Sequence, residues 1–71
     1  MSSNLNSEMG LRTDRLRIAR EKRGLTQREL ARLCGIGENQ VNKYENSVGE
    51  PSVANLHAIA RALDTTTDYL L

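Results

Sequence analysis

The chain has no tryptophan, no phenylalanine and only two tyrosines among its 71 residues. Sheets draw on aromatic and β-branched packing, so this composition favours short helices packed at steep angles, with leucine, isoleucine, valine and alanine filling the interior. A single cysteine, Cys34, excludes an internal disulfide. It lies in Leu30-Ala31-Arg32-Leu33-Cys34 and reads as a small buried hydrophobe rather than a reactive thiol. One histidine, His57, has no ligand partners nearby and reads as a surface residue. The carboxylates are scattered, so no converging acid–base or metal-ligand set is present, and neither an enzyme nor a cofactor is expected. No apolar run exceeds three residues, which excludes a membrane span and a secretory signal. The chain reads as soluble and cytoplasmic, with no membrane partner.

What is present is one small domain, of a size that buries roughly 60% of the surface its unfolded chain exposes. The net charge is +1, but residues 11–32 carry +5 and residues 38–71 carry −3. A basic half can face phosphates in a chain of near-neutral total; it can equally be a solvated helix face.

Residues 1–10 are polar and aperiodic and read as a flexible N-terminal tail. Spacing then places Leu16, Ala19 and Arg20 on one face of a first helix, about Arg12–Arg23, with Gly24 at the left-handed stop. Thr26 and Glu29 form the capping box of a second helix, and Leu25 before it can staple onto Leu30. Leu30, Ala31 and Cys34 are its buried face and Gly35 its end. A third helix covers about Glu38–Glu45, with Val41 and Tyr44 facing inward. After a loop at residues 46–51, Ser52 caps a fourth helix to about Leu63, striped by Val53, Leu56, Ile59, Ala60 and Leu63. Thr66 caps a fifth, begun by Tyr69, Leu70 and Leu71, and this apolar ending reads as continuing into further protein.

Residues 26–46 carry the functional signal. Two short helices joined by a three-residue turn cross at about 90–120°. The crossing needs a small residue where the backbones approach, supplied by Ala31. It needs a sharp reversal, permitted by Gly35, and apolar plugs after the turn, Ile36 and Val41. The third helix then stands as a ridge that fits a major groove about 12 Å wide.

Gly24-Leu25-Thr26-Gln27, Glu29-Leu30-Ala31, Gly35-Ile36, Val41, Tyr44-Glu45-Asn46, Pro51-Ser52, Leu56, Ala60-Arg61-Ala62-Leu63 and Leu70-Leu71 together resemble the Cro and phage-repressor type of helix-turn-helix protein. The likeness covers roughly residues 11–71. It implies an all-α, five-helix, lambda-repressor-like domain at 11–71, with the motif at about 26–46. It implies a bacterial or phage transcriptional repressor that reads a palindromic double-stranded DNA operator as a homodimer; the dimer contact would come from the fifth helix or from the further C-terminal domain or protein partner that the apolar ending suggests. Base contacts are implied for Glu38 and Asn39, for Lys43 one turn on, and for Asn42. Gln27 is implied to touch a phosphate and to brace the recognition helix, and backbone contacts are implied for Asn46 and for the loop starting at Ser47. An ion pair between Arg20 and Glu45 is implied to tie the first helix to the third.

The residue chemistry agrees in part. Asn39 can bond adenine and Lys43 can donate to guanine. Glu38 either accepts from cytosine or only complements the helix N-terminus. Gln27 and Lys43 also fit as an ordinary helix start and an exposed lysine. Three positions depart from the family pattern. Gly37 stands where a serine or threonine usually caps the third helix, Asp64 stands where glycine usually follows the fourth, and Ser47-Val48-Gly49-Glu50 lacks the usual loop cations. Backbone amides, Arg28 or the first-helix arginines would then meet phosphates, with a modest salt slope. Glu38, Glu50 and that loop also fit a partner-binding module, such as an antitoxin-type domain, that keeps the fold with weak or no DNA binding. A restriction–modification controller would use the same domain.

Overall fold

Three of the helices open on a hydroxyl group. The computed structural model describes residues 10–71 and contains α1 (Thr13–Lys22), α2 (Gln27–Cys34), α3 (Glu38–Glu45), α4 (Val53–Ala62) and α5 (Thr67–Leu70). Thr26 Oγ1 accepts from the Glu29 N–H at 3.0 Å, and Glu29 Oε1 accepts from the Thr26 N–H at 2.8 Å, completing the expected capping box. Ser52 and Thr66 cap α4 and α5 through their own hydroxyls. Gly37 caps α3 without a side-chain bond. Thr26→Ala should therefore cost about 1 kcal/mol, read as a lower urea midpoint at constant slope. An unchanged midpoint would mean that water replaces the cap.

The first four helices stop by one shared device. Gly24, Gly35, Ser47 and Asp64 have φ of 71°, 72°, 61° and 55°, all left-handed. After each, the next N–H reaches back five residues: Leu25 to Arg20, Ile36 to Ala31, Val48 to Lys43 and Thr65 to Ala60, at 2.9 to 3.1 Å. This satisfies carbonyls that a helix end leaves orphaned. Glycine adopts the conformation freely; Ser47 and Asp64 hold it at some strain.

The helix bounds differ from expectation by one residue at three ends. Arg12 caps α1 instead of starting it, because its N–H is drawn to the Leu70 carbonyl at 2.7 Å and its backbone is extended. Arg23 and Leu63 are the C-caps of α1 and α4, set there by the left turns at Gly24 and Asp64. The expected tail at residues 1–10 lies outside the described residues, except for Gly10, which is half-buried with φ 79°.

Each helix sends one fully buried side chain to a common centre: Leu16, Leu30, Val41, Ile59 and Leu70. Ala31 lets α2 and α3 approach, and α2 also packs on α4. Leu25 and Ile36 pack on the margin of this core. Tyr44 is core, as expected, and its hydroxyl accepts from Asn55 Nδ2 at 3.3 Å. Two expectations fail. Val53 is 65% exposed, because it opens α4 roughly 70° from the centre of that helix's buried face. Cys34 is only half-buried at the end of α2; that burial still pushes its thiol pKa up. His57 is exposed.

The short α5 is held by α1. Besides the Arg12–Leu70 bond, Arg15 Nη1 donates to the Tyr69 carbonyl at 2.9 Å and its guanidinium lies 5.0 Å from the Tyr69 ring centre. Among the described residues, no helix is long and apolar enough to cross a membrane.

Candidate nucleic-acid interface

The eight residues of α3 alternate between anchoring and display. At about 100° per residue, Val41, Tyr44 and Glu45 point inward and are buried. Asn39 and Lys43 then occupy the crest of the outer face, with Glu38 and Asn42 on one flank and Gln40 on the other. All five are exposed. The helix is therefore not covered by the rest of the domain. Its outer face is polar throughout and suits hydrogen bonding to base edges.

The helix is fixed from below by a buried carboxylate. Glu45 is the one buried charged residue among those described, with its side chain 1% exposed. Arg20 grips it with both arms of the guanidinium, Nε to Oε2 at 2.6 Å and Nη2 to Oε1 at 3.1 Å. Arg20 also donates to the Leu25 carbonyl at 2.8 Å, so one side chain ties α1 to the start of α2 and to the end of α3. The implied Arg20–Glu45 pair is present in this form.

Gln27 extends the network. Its Nε2 donates to Glu45 Oε1 at 3.0 Å, and its Oε1 accepts from Asn42 Nδ2 at 3.3 Å. The first residue of α2 thus braces the flank of α3 through both ends of its amide. Asn42, expected at the bases, already uses one amide hydrogen on this brace. Arg17 Nε lies 3.6 Å from Glu45 Oε1, with the arginine side chain half exposed. No buried side-chain nitrogen or oxygen among the described residues lacks a partner.

The remaining expected residues lie around this centre. Arg28 is exposed in the first turn of α2. Asn46 closes α3, its Nδ2 and backbone N–H both donating to the Asn42 carbonyl at 2.8 and 3.1 Å. Ser47 follows in its left-handed turn. Glu38 at one end and Asn46 and Ser47 at the other are separated by the length of α3, about 12 Å. Gln40, the approach of Arg17 to Glu45 and the Asn55–Tyr44 bond were not anticipated. Gln40 was legible as an exposed polar neighbour of Asn39. Arg17 was legible from its three-residue spacing to Arg20.

Burial pushes the pKa of Glu45 up, but the Arg20 and Gln27 hydrogen bonds and the charges of Arg20 and Arg17 prevail and hold it below its ordinary value. The folded state then binds this proton less readily than the unfolded state. The resulting stabilisation is present above the ordinary glutamate range and is lost as acid brings the pH down through the lowered value. The urea midpoint should fall as pH drops below about 5. Asp14, also held low by its Arg12 hydrogen bond, adds to the loss in acid in the same direction. Glu45→Gln should therefore flatten the acid limb without abolishing it, and a limb parallel to wild type would contradict the assignment.

The profile of the helix-turn-helix family matches residues 16–70. The chain belongs to that family. This helix-turn-helix domain is 39% identical over 57 residues to the HTH-type transcriptional regulator ImmR of Bacillus subtilis, covering 80% of this chain and 45% of that one. It thus spans less than half the length of that curated relative. Among solved structures, it resembles the c2 repressor of Salmonella phage P22 in complex with a synthetic operator, with a TM-score of 0.80 and 34% identity over 83% of this chain and 89% of that one. It also resembles the restriction–modification controller protein C.AhdI of Aeromonas hydrophila, with a TM-score of 0.79, 34% identity and the same two coverages. The five-helix, repressor-like fold expected from the sequence is the fold observed.

Proposed function

We propose that this helix-turn-helix domain is the DNA-reading part of a bacterial or phage transcriptional regulator, acting as a repressor by occupying promoter DNA. The observation that carries this reading is the anchored but uncovered α3. Its inner face is locked by Val41, Tyr44 and the Glu45 network, and its outer face presents five polar side chains. Set in the major groove, Asn39 would bond adenine, Lys43 would donate to guanine, and Glu38 would accept from cytosine N4. Asn42 would contact bases through the part of its amide not used on Gln27. Gln27, Arg28, Asn46 and Ser47 would lie against phosphates. Two copies on a palindrome would place their α3 helices about 34 Å apart, one turn of duplex. The relatives named as regulators and the operator-bound repressor structure support binding rather than catalysis.

Selection of bound sites from a random duplex library tests this. The expected result is a short site with two-fold symmetry and binding that weakens with salt by a modest slope, because the loop Ser47-Val48-Gly49-Glu50 brings no cation. Absence of salt-dependent binding to any duplex would favour a partner-binding module with the same fold.

A further inference from the structure

The loop after α3 brings no cation, so the phosphates beside this helix need positive charge from elsewhere; besides Arg28 of α2, the basic residues of α1 and its caps are the candidates. The geometry separates them. Arg12 bonds Asp14 at 3.3 and 3.2 Å. Arg15 is held on the Tyr69 carbonyl and ring. Arg20 is spent on Glu45 and the Leu25 carbonyl. Lys22 and Arg23 line a groove with Leu63, Thr65 and Tyr69, between α1 and the α4–α5 corner.

Arg17 differs from all of these. Its Nε stands 3.6 Å from Glu45 Oε1, beyond hydrogen-bonding distance, and its side chain is half exposed. That same oxygen already accepts from Arg20 and from Gln27. The carboxylate attracts a second arginine without satisfying it. The chain Asn42–Gln27–Glu45–Arg17 links the half-exposed Arg17, through the buried Glu45 and through Gln27, to Asn42 on the flank of α3. The cluster of Arg17, Arg20 and Glu45 carries a net charge of +1, which one phosphate would neutralise.

We infer that Arg17 is a phosphate-binding residue of this domain, pre-positioned by Glu45 beside α3 to take the role that the cation-free loop leaves open. This inference rests on the DNA-binding reading above and adds to it one residue and one ligand group. On binding, the guanidinium would keep its attraction to Glu45 and donate outward to a phosphate oxygen. Because it contacts backbone and not bases, it would add affinity without sequence preference.

The test compares wild type, Arg17→Gln and Arg17→Lys by fluorescence anisotropy on a random-sequence duplex between 50 and 200 mM salt, with a thermal melt of each protein. Arg17→Gln should lower the slope of log affinity against log salt by about 0.9, so that its deficit against wild type shrinks roughly three-fold across that range. It should melt within a few degrees of wild type, and Arg17→Lys should keep the wild-type slope. An unchanged slope in Arg17→Gln, with wild type binding normally, overturns the inference and leaves the DNA-binding reading intact. A collapse in melting temperature in both variants assigns Arg17 to the structure and also overturns it. If wild type itself shows no salt-dependent binding, both readings fail.

Discussion

Glu45→Ala should be the most damaging single truncation in this domain, lowering stability by about 3–5 kcal/mol. The loss comes from what the carboxylate leaves behind. Arg20, whose side chain is 13% exposed, would keep its charge and retain only the Leu25 carbonyl. The Gln27 amide would lose its acceptor, and Asn42 would lose a braced partner. A domain of this size has about 5–15 kcal/mol in total, so the melting temperature should drop by roughly 15–30 °C. Buried ion pairs are costly to break and often unneeded if replaced whole. Arg20→Met combined with Glu45→Leu should therefore recover most of that loss, although either change alone does not. Thermal melts followed by circular dichroism decide the matter. A Glu45→Ala protein within about 1 kcal/mol of wild type would show the pair to be screened as a surface pair is. A double variant as unstable as Glu45→Ala would show instead that the bond to Gln27 and the attraction of Arg17 outweigh the pairing with Arg20.

The parts of this fold that the sequence made legible are those set by local chemistry. The Thr26–Glu29 box, the left-handed glycines at 24 and 35 and the buried face of α2 depend on residues within a few positions of each other. Asp64 was legible because one residue type replaced another at a recognisable helix end. Ser47 was not, although it uses the same turn. Serine gives no signal for positive φ, and the segment read as loop by composition. Val53 failed for the opposite reason: periodicity counted it into a stripe, but it opens α4 at the margin of the buried face and stays exposed. The closure of α5 onto α1 through Arg12 and Arg15 joins residues more than 50 positions apart. No local pattern encodes such a contact. In the candidate interface, which residues face outward was readable from the period of α3. The resemblance supplied the Arg20–Glu45 pair. The resemblance also implied that Gln27 braces the recognition helix; that it does so by engaging both ends of its amide, on Glu45 and Asn42, is a long-range arrangement no local pattern shows. That engagement changes how a Gln27 substitution should be read, since its loss removes a fold-stabilising bond together with any phosphate contact.

Asn39 and Lys43 avoid that confusion, and for this reason their joint removal should give the largest clean effect on recognition. Both lie on the crest of α3, both are exposed, and neither belongs to the Glu45 network. Each well-placed base contact discriminates by about 1–3 kcal/mol. Asn39→Ala with Lys43→Ala should thus weaken binding to the selected site by roughly 30-fold to 10⁴-fold, while folding stability stays within about 0.5 kcal/mol. Affinity for random duplex should barely move, because base-edge contacts add little to sequence-independent binding. The two residues are neighbours one turn apart, so the single variants need not sum to the double, and the shortfall measures how far they share a base step. The decisive comparison is between duplexes. If the double variant loses the selected site and random DNA in equal proportion, these side chains hold the backbone, and some other face of the domain reads the sequence.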